Sequence, residues 1–387
     1  MNETHATKYL LSLPHTHPNG TAERARRLLE ALGAPQKNIF VIKILGEAGK
    51  SNASSLLASL LSHGRIPQGS VTLTPKDEPR LAIQIDKAPP SHKAFSDAVT
   101  RAWNASRATG IADPSYEEIL LAASLSLFSE SGCRVILVEL RSNSRLSAAS
   151  ALPSPRLCLL TATAREKAAE LMPLIDTAID LVSAPQEPSV YRLLTERAAV
   201  THCRLSFPTK NDIGEASLQN GALSFTYQGK SFSLPTLAHY QKSNALAVIE
   251  AYHALVRQGL RLTEQNLTDA FSDMSPSLCF RFFSLSPAWL IDSADTPMRL
   301  AALAESIERL PALFGESFAV WTEPSLKEAC RDVFGDRISH IKLLERGTLR
   351  RALKTTRPPK DSPLLIVGSE TFAAEAHRAL GNLFLFQ

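Results

Sequence analysis

The chain has 387 residues, 44% of them apolar, and a formal net charge of +4, so it is long enough for two cores and too weakly charged for a dedicated nucleic-acid binder. Its five cysteines, Cys133, Cys158, Cys203, Cys279 and Cys330, are widely spaced and form no C-x-x-C pair, which argues against a disulfide frame or a zinc site and suits reduced thiols. The N-terminus has no basic region leading into an apolar one and no apolar run reaches the ~18 residues of a membrane span, so the expectation is a cytoplasmic protein that touches no membrane.

Residues 8–33 read as helix, with Leu10, Leu11, Leu28, Leu29 and Leu32 on apolar faces interrupted by turn residues from Pro14 to Gly20. Phe40–Leu45 is an apolar run of strand length, followed by Gly46-Glu47-Ala48-Gly49-Lys50-Ser51-Asn52 and a helix-like run over 53–61. A strand, a glycine-bounded turn and Lys-Ser at a helix start form the layout of a phosphate-binding loop. Backbone N–H groups and the helix N-terminus would face the phosphates, Lys50 would neutralise them, and the Ser51 hydroxyl would ligate Mg²⁺. Two residues depart from that layout: Ile44 stands where the full pattern has glycine, and Glu47 puts a negative charge where phosphates would sit. The competing reading is a plain strand-turn-helix joint, with Gly49 as a turn residue and Lys50 solvated.

Further along, 70–73 and 80–85 are short strand candidates separated by a turn over 75–79. The segment 114–128 is an amphipathic helix opened by Pro114 and the acidic pair Glu117-Glu118, which complement the helix dipole. Residues 133–139 form a continuous apolar run of the buried parallel-strand type, ending in Glu139 at the edge where open α/β sheets bind ligands. Further strands are expected over 155–161 and 181–188, then a helix over 190–199. Asn220-Gly221 and Gln228-Gly229 signal two successive hairpins. A helical stretch ends over 272–277, which sets a boundary between domains 1–273 and 274–387. Beyond it, short strands over 288–292, 318–321, 338–341 and 364–367 alternate with helices, the pattern of a small doubly wound domain. The basic run from Arg346 to Lys360, broken by Pro358-Pro359, reads as a solvated loop.

These segments, in this order, resemble the folylpolyglutamate synthase/dihydrofolate synthase branch of the Mur ligase superfamily. Gly46, Gly49 and Lys50 match that branch's loop G-T-N-G-K-G-S, with Ser51 following the lysine directly as in the Mur enzymes proper. The run from Pro114 to Phe128 matches P-T-F-F-E-x-L-T-A-x-A-F-x-x-F without a gap and puts Glu118 on a Mg²⁺-linked glutamate; an acidic first turn serving the helix alone is the other reading. Glu139, Arg145, Leu146 and Ala148 match V-L-E-V-G-L-G-G-R-L-D-A-T-N, whose glycines are replaced here. Pro235, Gln241, Asn244 and Ala245 match L-P-L-x-G-x-H-Q-x-x-N-A, which makes Gln241 and Asn244 candidate adenosine contacts or, alternatively, amide helix caps. Arg281 stands where W-P-G-R supplies a phosphate clamp, and Asp292 where D-G-A-H-N-P begins. Lys167, near the place of a carbamylated lysine of relatives, reads as a surface helix residue.

The resemblance implies an α/β chain: a Mur-ligase-like P-loop ATPase domain with a parallel-rich sheet, followed by a smaller doubly wound α/β domain. It implies ATP and Mg²⁺ as cofactors, and an amide ligation joining an amino acid to a folate-like or other carboxylate. Lys50, Glu118 and Arg281 would be its catalytic residues. Gly46, Gly49, Lys50, Ser51, Gln241, Asn244, Arg281 and Asp292 would contact the nucleotide, and Ser51 and Glu118 the metal. The serine of T-S-P-H-L, the histidine of an Asp-His pair, and the histidine and asparagine of D-G-A-H-N-P have no counterpart here. Losing one oriented charge-stabilising group costs ~10²- to 10³-fold in rate, so the alternative is a catalytically inactive relative that binds nucleotide or a protein partner. A kinase or GTPase fits poorly, since neither an Asp-containing Walker-B run nor N-K-x-D occurs.

Overall fold

The run Phe40–Leu45 becomes β1, the middle strand of a seven-stranded sheet, in a computed structural model that describes residues 1–16, 22–140, 147–175, 177–274, 279–355 and 362–384. The sheet's other strands are β2 (Gln68–Thr72), β3 (Ile83–Ile85), β4 (Val135–Glu139), β5 (Leu157–Leu160), β6 (Asp180–Ser183) and β7 (Arg204–Ser206), side by side in the order β3-β2-β4-β1-β5-β6-β7. Every pairing is parallel except β2 with β3. Parallel strands covered on both faces need apolar residues at every position, which is why β1, β4 and β5 read as unbroken runs. Lys43 is the exception in β1: it is buried with its neighbours, and burial pushes its ammonium pKa down.

The helices of this unit are α1 (Glu3–Ser12), α2 (Ala22–Ala31), α3 (Lys50–His63), α4 (His92–Ala108), α5 (Tyr116–Glu130), α6 (Arg165–Leu171), α7 (Pro188–Thr201), most of α8 (Gln241–Arg257) and α9 (Glu264–Ser272). Ser115 and Glu118 close a capping box at the start of α5, the local reason that helix begins where it does. Helix α4 packs on α5 and α3 on α9. The two hairpin signals form β8 (Ile213–Gln219), β9 (Ala222–Tyr227) and β10 (Lys230–Leu234), with positive φ at Asn220, Gly221, Gln228 and Gly229 as their two-residue turns require.

The chain divides into two compact units, the first made of 1–214, 226–232 and 243–274, the second of 215–225, 233–242 and 275–387. In the second, β11 (Arg281–Leu285), β12 (Ala288–Asp292), β13 (Phe318–Thr322), β14 (Ile338–Leu343) and β15 (Leu364–Val367) are ordered β11-β12-β15-β13-β14. Four of these were expected as strands; β11 adds an antiparallel edge. Helices α10 (Pro297–Glu308), α11 (Pro311–Phe314), α12 (Lys327–Phe334), α13 (Leu349–Thr355) and α14 (Glu370–Phe384) complete an α/β unit whose core includes edge-to-face contacts of Phe318 with Phe314 at 5.5 Å and Phe334 at 5.6 Å. Among the described residues, no helix is long and apolar enough to cross a membrane.

Candidate nucleotide and metal site

The loop between β1 and α3 depends on its two glycines. Gly46 has φ +121°, and a Cβ there would lie 2.3 Å from Thr161 Oγ1 and 2.9 Å from the Thr161 carbonyl oxygen. Gly49 has φ +91°, and a Cβ there would lie 2.1 Å from Asn244 Oδ1. Backbone conformation and space thus both exclude a side chain. The N–H groups of Glu47 and Ala48 donate to the Ala162 carbonyl at 3.0 and 3.1 Å, pinning the loop to the segment after β5. Gln186 holds that segment in turn: its Nε2 donates to Thr161 O at 2.9 Å and its Oε1 accepts from Thr163 N at 3.2 Å.

Glu47 does not project its charge over the loop. Its Oε2 accepts from Ala164 N at 2.7 Å and Thr163 Oγ1 at 3.2 Å, so the carboxylate caps the amino end of α6, where Ala164 has no capping group of its own. Lys50 opens α3 and is buried, with Nζ donating to Gly46 O at 2.7 Å. This corrects the plain-joint reading, in which Lys50 was solvated. The ammonium folds back over the loop instead, beside a helix N-terminus whose first-turn N–H groups find no acceptor within the helix.

One residue further, Ser51 Oγ donates to Glu139 Oε1 at 2.9 Å, and Thr72 Oγ1 donates to Glu139 Oε2 at 3.2 Å. Strand register produces the cluster: Glu139, the last residue of β4, lies opposite Thr72 on β2 and Ile44 on β1. Two hydroxyls and a buried carboxylate are the hard oxygen donors Mg²⁺ takes, and a site with one carboxylate suits an ion that completes its shell with phosphate oxygens and water. Among the described residues no group of three or more His, Cys, Asp or Glu converges to hold a metal, here or elsewhere.

Glu118, expected with Ser51 on one cation, is held by protein groups in this structure. Its Oε1 accepts from Arg24 Nε at 3.0 Å and its Oε2 from Ser115 N at 2.8 Å, so it joins α2 to α5 and closes the cap. The hydrogen bond to Glu118, more than the counteracting desolvation, raises the Arg24 pKa. The carboxylate that meets Ser51 is Glu139.

Asn244, near the start of α8, is buried with its amide against Gly49. Gln241 opens the same helix, buried, its N–H donating to Ala238 O at 3.0 Å. In the second unit, Asp292 ends β12 and its Oδ2 accepts from Tyr240 Oη at 2.9 Å and Phe280 N at 2.8 Å. Burial outweighs those hydrogen bonds and raises the Asp292 pKa to about 6, while burial first and the Asp292 charge second push the Tyr240 phenol well above its ordinary value. Arg281 opens β11, half-buried, and its charge, after burial, helps hold the His377 imidazole below its ordinary pKa. Lys167 pairs with Glu170 at 3.3 Å on α6, the surface role expected of it. Arg145 lies outside the described residues. Sequence reasoning missed the Thr161 and Gln186 braces and the Arg24 partner of Glu118; the only signal for the first two was their place at the ends of consecutive strands.

No family model matches the chain. It is 25% identical over 248 residues to a probable dihydrofolate synthetase of Schizosaccharomyces pombe, covering 60% of this chain and 58% of that one, so the match spans less than two thirds of that relative. It is 23% identical over 335 residues to the folylpolyglutamate synthase of Lacticaseibacillus casei, covering 80% and 77%. In fold it is similar to the solved FPGS–AMPPCP–folate complex, with a TM-score of 0.85 and 20% identity over 98% of this chain and 100% of the other.

Proposed function

We infer, for a chain that carries the fold of the folylpolyglutamate synthase/dihydrofolate synthase branch of the Mur ligase superfamily over 98% of its length, that it is an ATP-dependent carboxylate–amine ligase. The observation that carries this reading is the convergence, on one sheet edge, of the Lys50 loop with the Ser51–Glu139–Thr72 oxygen cluster. ATP phosphates would lie at the α3 N-terminus, with Lys50 exchanging the Gly46 carbonyl for phosphate oxygens. Mg²⁺, held by Ser51, Glu139 and Thr72 together with those oxygens, would supply neutralisation of the charge that builds on the transferred phosphoryl group. The substrate carboxylate attacks the γ-phosphorus, ADP leaves, and an amino-acid amine displaces phosphate from the acyl phosphate to form the amide. Asn244 and the Gln186-braced segment hold the loop in register for this.

A folate-like carboxylate is the substrate class the relatives support, since one of them is solved with AMPPCP and folate together. Arg281, Gln241 and Asp292 are the further nucleotide contacts of this reading, and Glu118 supports the site through Arg24 and α5 rather than through the metal. None of the five cysteines is in a disulfide, which fits a cytoplasmic protein. A second reading, a nucleotide-binding module without ligation, is favoured by one observation: Asp292 already spends Oδ2 on Tyr240 and Phe280.

The deciding experiment is calorimetric titration with ATP and Mg²⁺, followed by phosphate release with folate and glutamate present. Saturable binding lost in Lys50→Ala, with phosphate released only when carboxylate and amine are both present, is the expected result. Absence of binding in the wild type removes both readings, and binding without carboxylate-dependent phosphate release leaves the second.

A further inference from the structure

The opposite edge of the large sheet holds a cavity of about 850 Å³, walled in part by Phe40 at the start of β1 and Val135 at the start of β4. Phe40 and Leu45 are five residues apart, so about 17 Å of strand separates this cavity from the nucleotide loop. Arg65, Arg134, Arg156 and Arg261 all line it, and no Asp or Glu does. The four come from separate places: Arg65 after the α3 C-cap, Arg134 and Arg156 just before β4 and β5, Arg261 after α8.

Two of them stand on rigid supports. Arg134 N donates to Pro67 O at 2.8 Å and Arg156 N to Val41 O at 2.9 Å, so the sheet fixes both backbones. The Arg156 guanidinium lies 5.5 Å from the centre of the Phe40 ring, a cation–π contact. None of the four arginines makes a salt bridge among the described residues. Asp180, a carboxylate bonded to the lining residue Gln258 through Nε2 at 2.6 Å, also pairs with Arg257 at 3.2 Å.

Arginines after helix ends also serve the helix dipole, and the carboxyl ends of α3 and α8 both reach this cavity. Each such end contributes about half a negative charge, so four guanidinium groups leave a surplus of about three positive charges. That surplus exceeds what capping needs and is concentrated in a concave site of ligand size.

We propose that this cavity is a second anion site, separate from the nucleotide loop, that takes a compact multivalent phosphate or carboxylate. The guanidinium forks meet the anionic groups.

The test is calorimetric titration of the full chain in low-salt buffer with inorganic tripolyphosphate and, separately, with citrate. Wild type, Lys50→Ala and the Lys50→Ala/Arg134→Ser/Arg261→Ser variant are compared, so that the nucleotide loop is silenced throughout the decisive comparison. The expected result is one saturable site in Lys50→Ala that weakens at least about tenfold when the two arginines are removed and weakens again with added salt. Binding of tripolyphosphate alone assigns a phosphate ligand, and binding of citrate alone a carboxylate one. No saturable site for either probe in Lys50→Ala, or a site whose affinity ignores the arginines, overturns the proposal. Should the triple variant misfold by circular dichroism, Arg65→Ser in the Lys50→Ala background repeats the comparison with one exposed side chain changed.

Discussion

At Gly49 the backbone and its neighbour set the same requirement: φ is +91°, and the Asn244 amide fills the space a Cβ would need. Gly49→Ala is expected to destabilise the fold by about 2 kcal/mol, read as a lower denaturant midpoint, and to weaken nucleotide binding with it. Asp292 offers a pH-dependent counterpart. Its folded pKa of about 6 lies above the ordinary aspartate value of 3.8, so the stability linked to its proton is present in acid and lost as pH rises from about 4 through 6. Denaturation of wild type and Asp292→Asn across that range should therefore show the wild type losing stability relative to the variant as pH rises. A constant difference would mean that the carboxyl titrates as it does in the unfolded chain. The sequence placed Asp292 at a strand end; it did not show that Tyr240, 52 residues earlier, already holds that carboxylate.

At the scale of elements, Glu47 and Glu118 show why local reading stops short. Each was legible as an acidic residue at a conspicuous place, one in the loop and one in a helical first turn. Their actual partners lie 117 and 94 residues away, at Ala164 and Arg24, and only the assembled sheet and helix layer bring them together. By contrast β1, β4 and the capped start of α5 were legible because burial on both faces and a capping box leave local signatures. Glu118→Gln is expected to cost roughly 2 kcal/mol, since it takes from Arg24 the closer and more buried of its two charged acceptors and leaves only Asp113 at 3.4 Å, while the Mg²⁺ concentration giving half-maximal nucleotide binding stays unchanged. A shifted Mg²⁺ requirement with unchanged stability would return Glu118 to the metal. Glu47→Ala should likewise cost about 1 kcal/mol through the lost α6 cap, without weakening ATP binding.

For the molecule as a whole, nucleotide and folding are linked. Saturation at 100 times the dissociation constant adds about 2.7 kcal/mol to the folded state, so Mg²⁺ with ATP should raise the melting temperature of the wild type and leave Lys50→Ala and Glu139→Gln unmoved. The alternation of strands and helices after residue 274 made the second α/β unit legible, because each buried strand there is a short apolar run. The participation of 215–225 and 233–242 was not, since hairpin signals say that strands pair and not which core they serve.

The polypeptide passes between the two units five times, at 214/215, 225/226, 232/233, 242/243 and 274/275. Ala238 lies in the second unit's core, with Leu218, Leu237 and Tyr240 packed against it. The C-terminal third is therefore no detachable module. Severed at 274/275, it would lack side chains that only the upstream sequence delivers, and such a fragment would fold around an incomplete core.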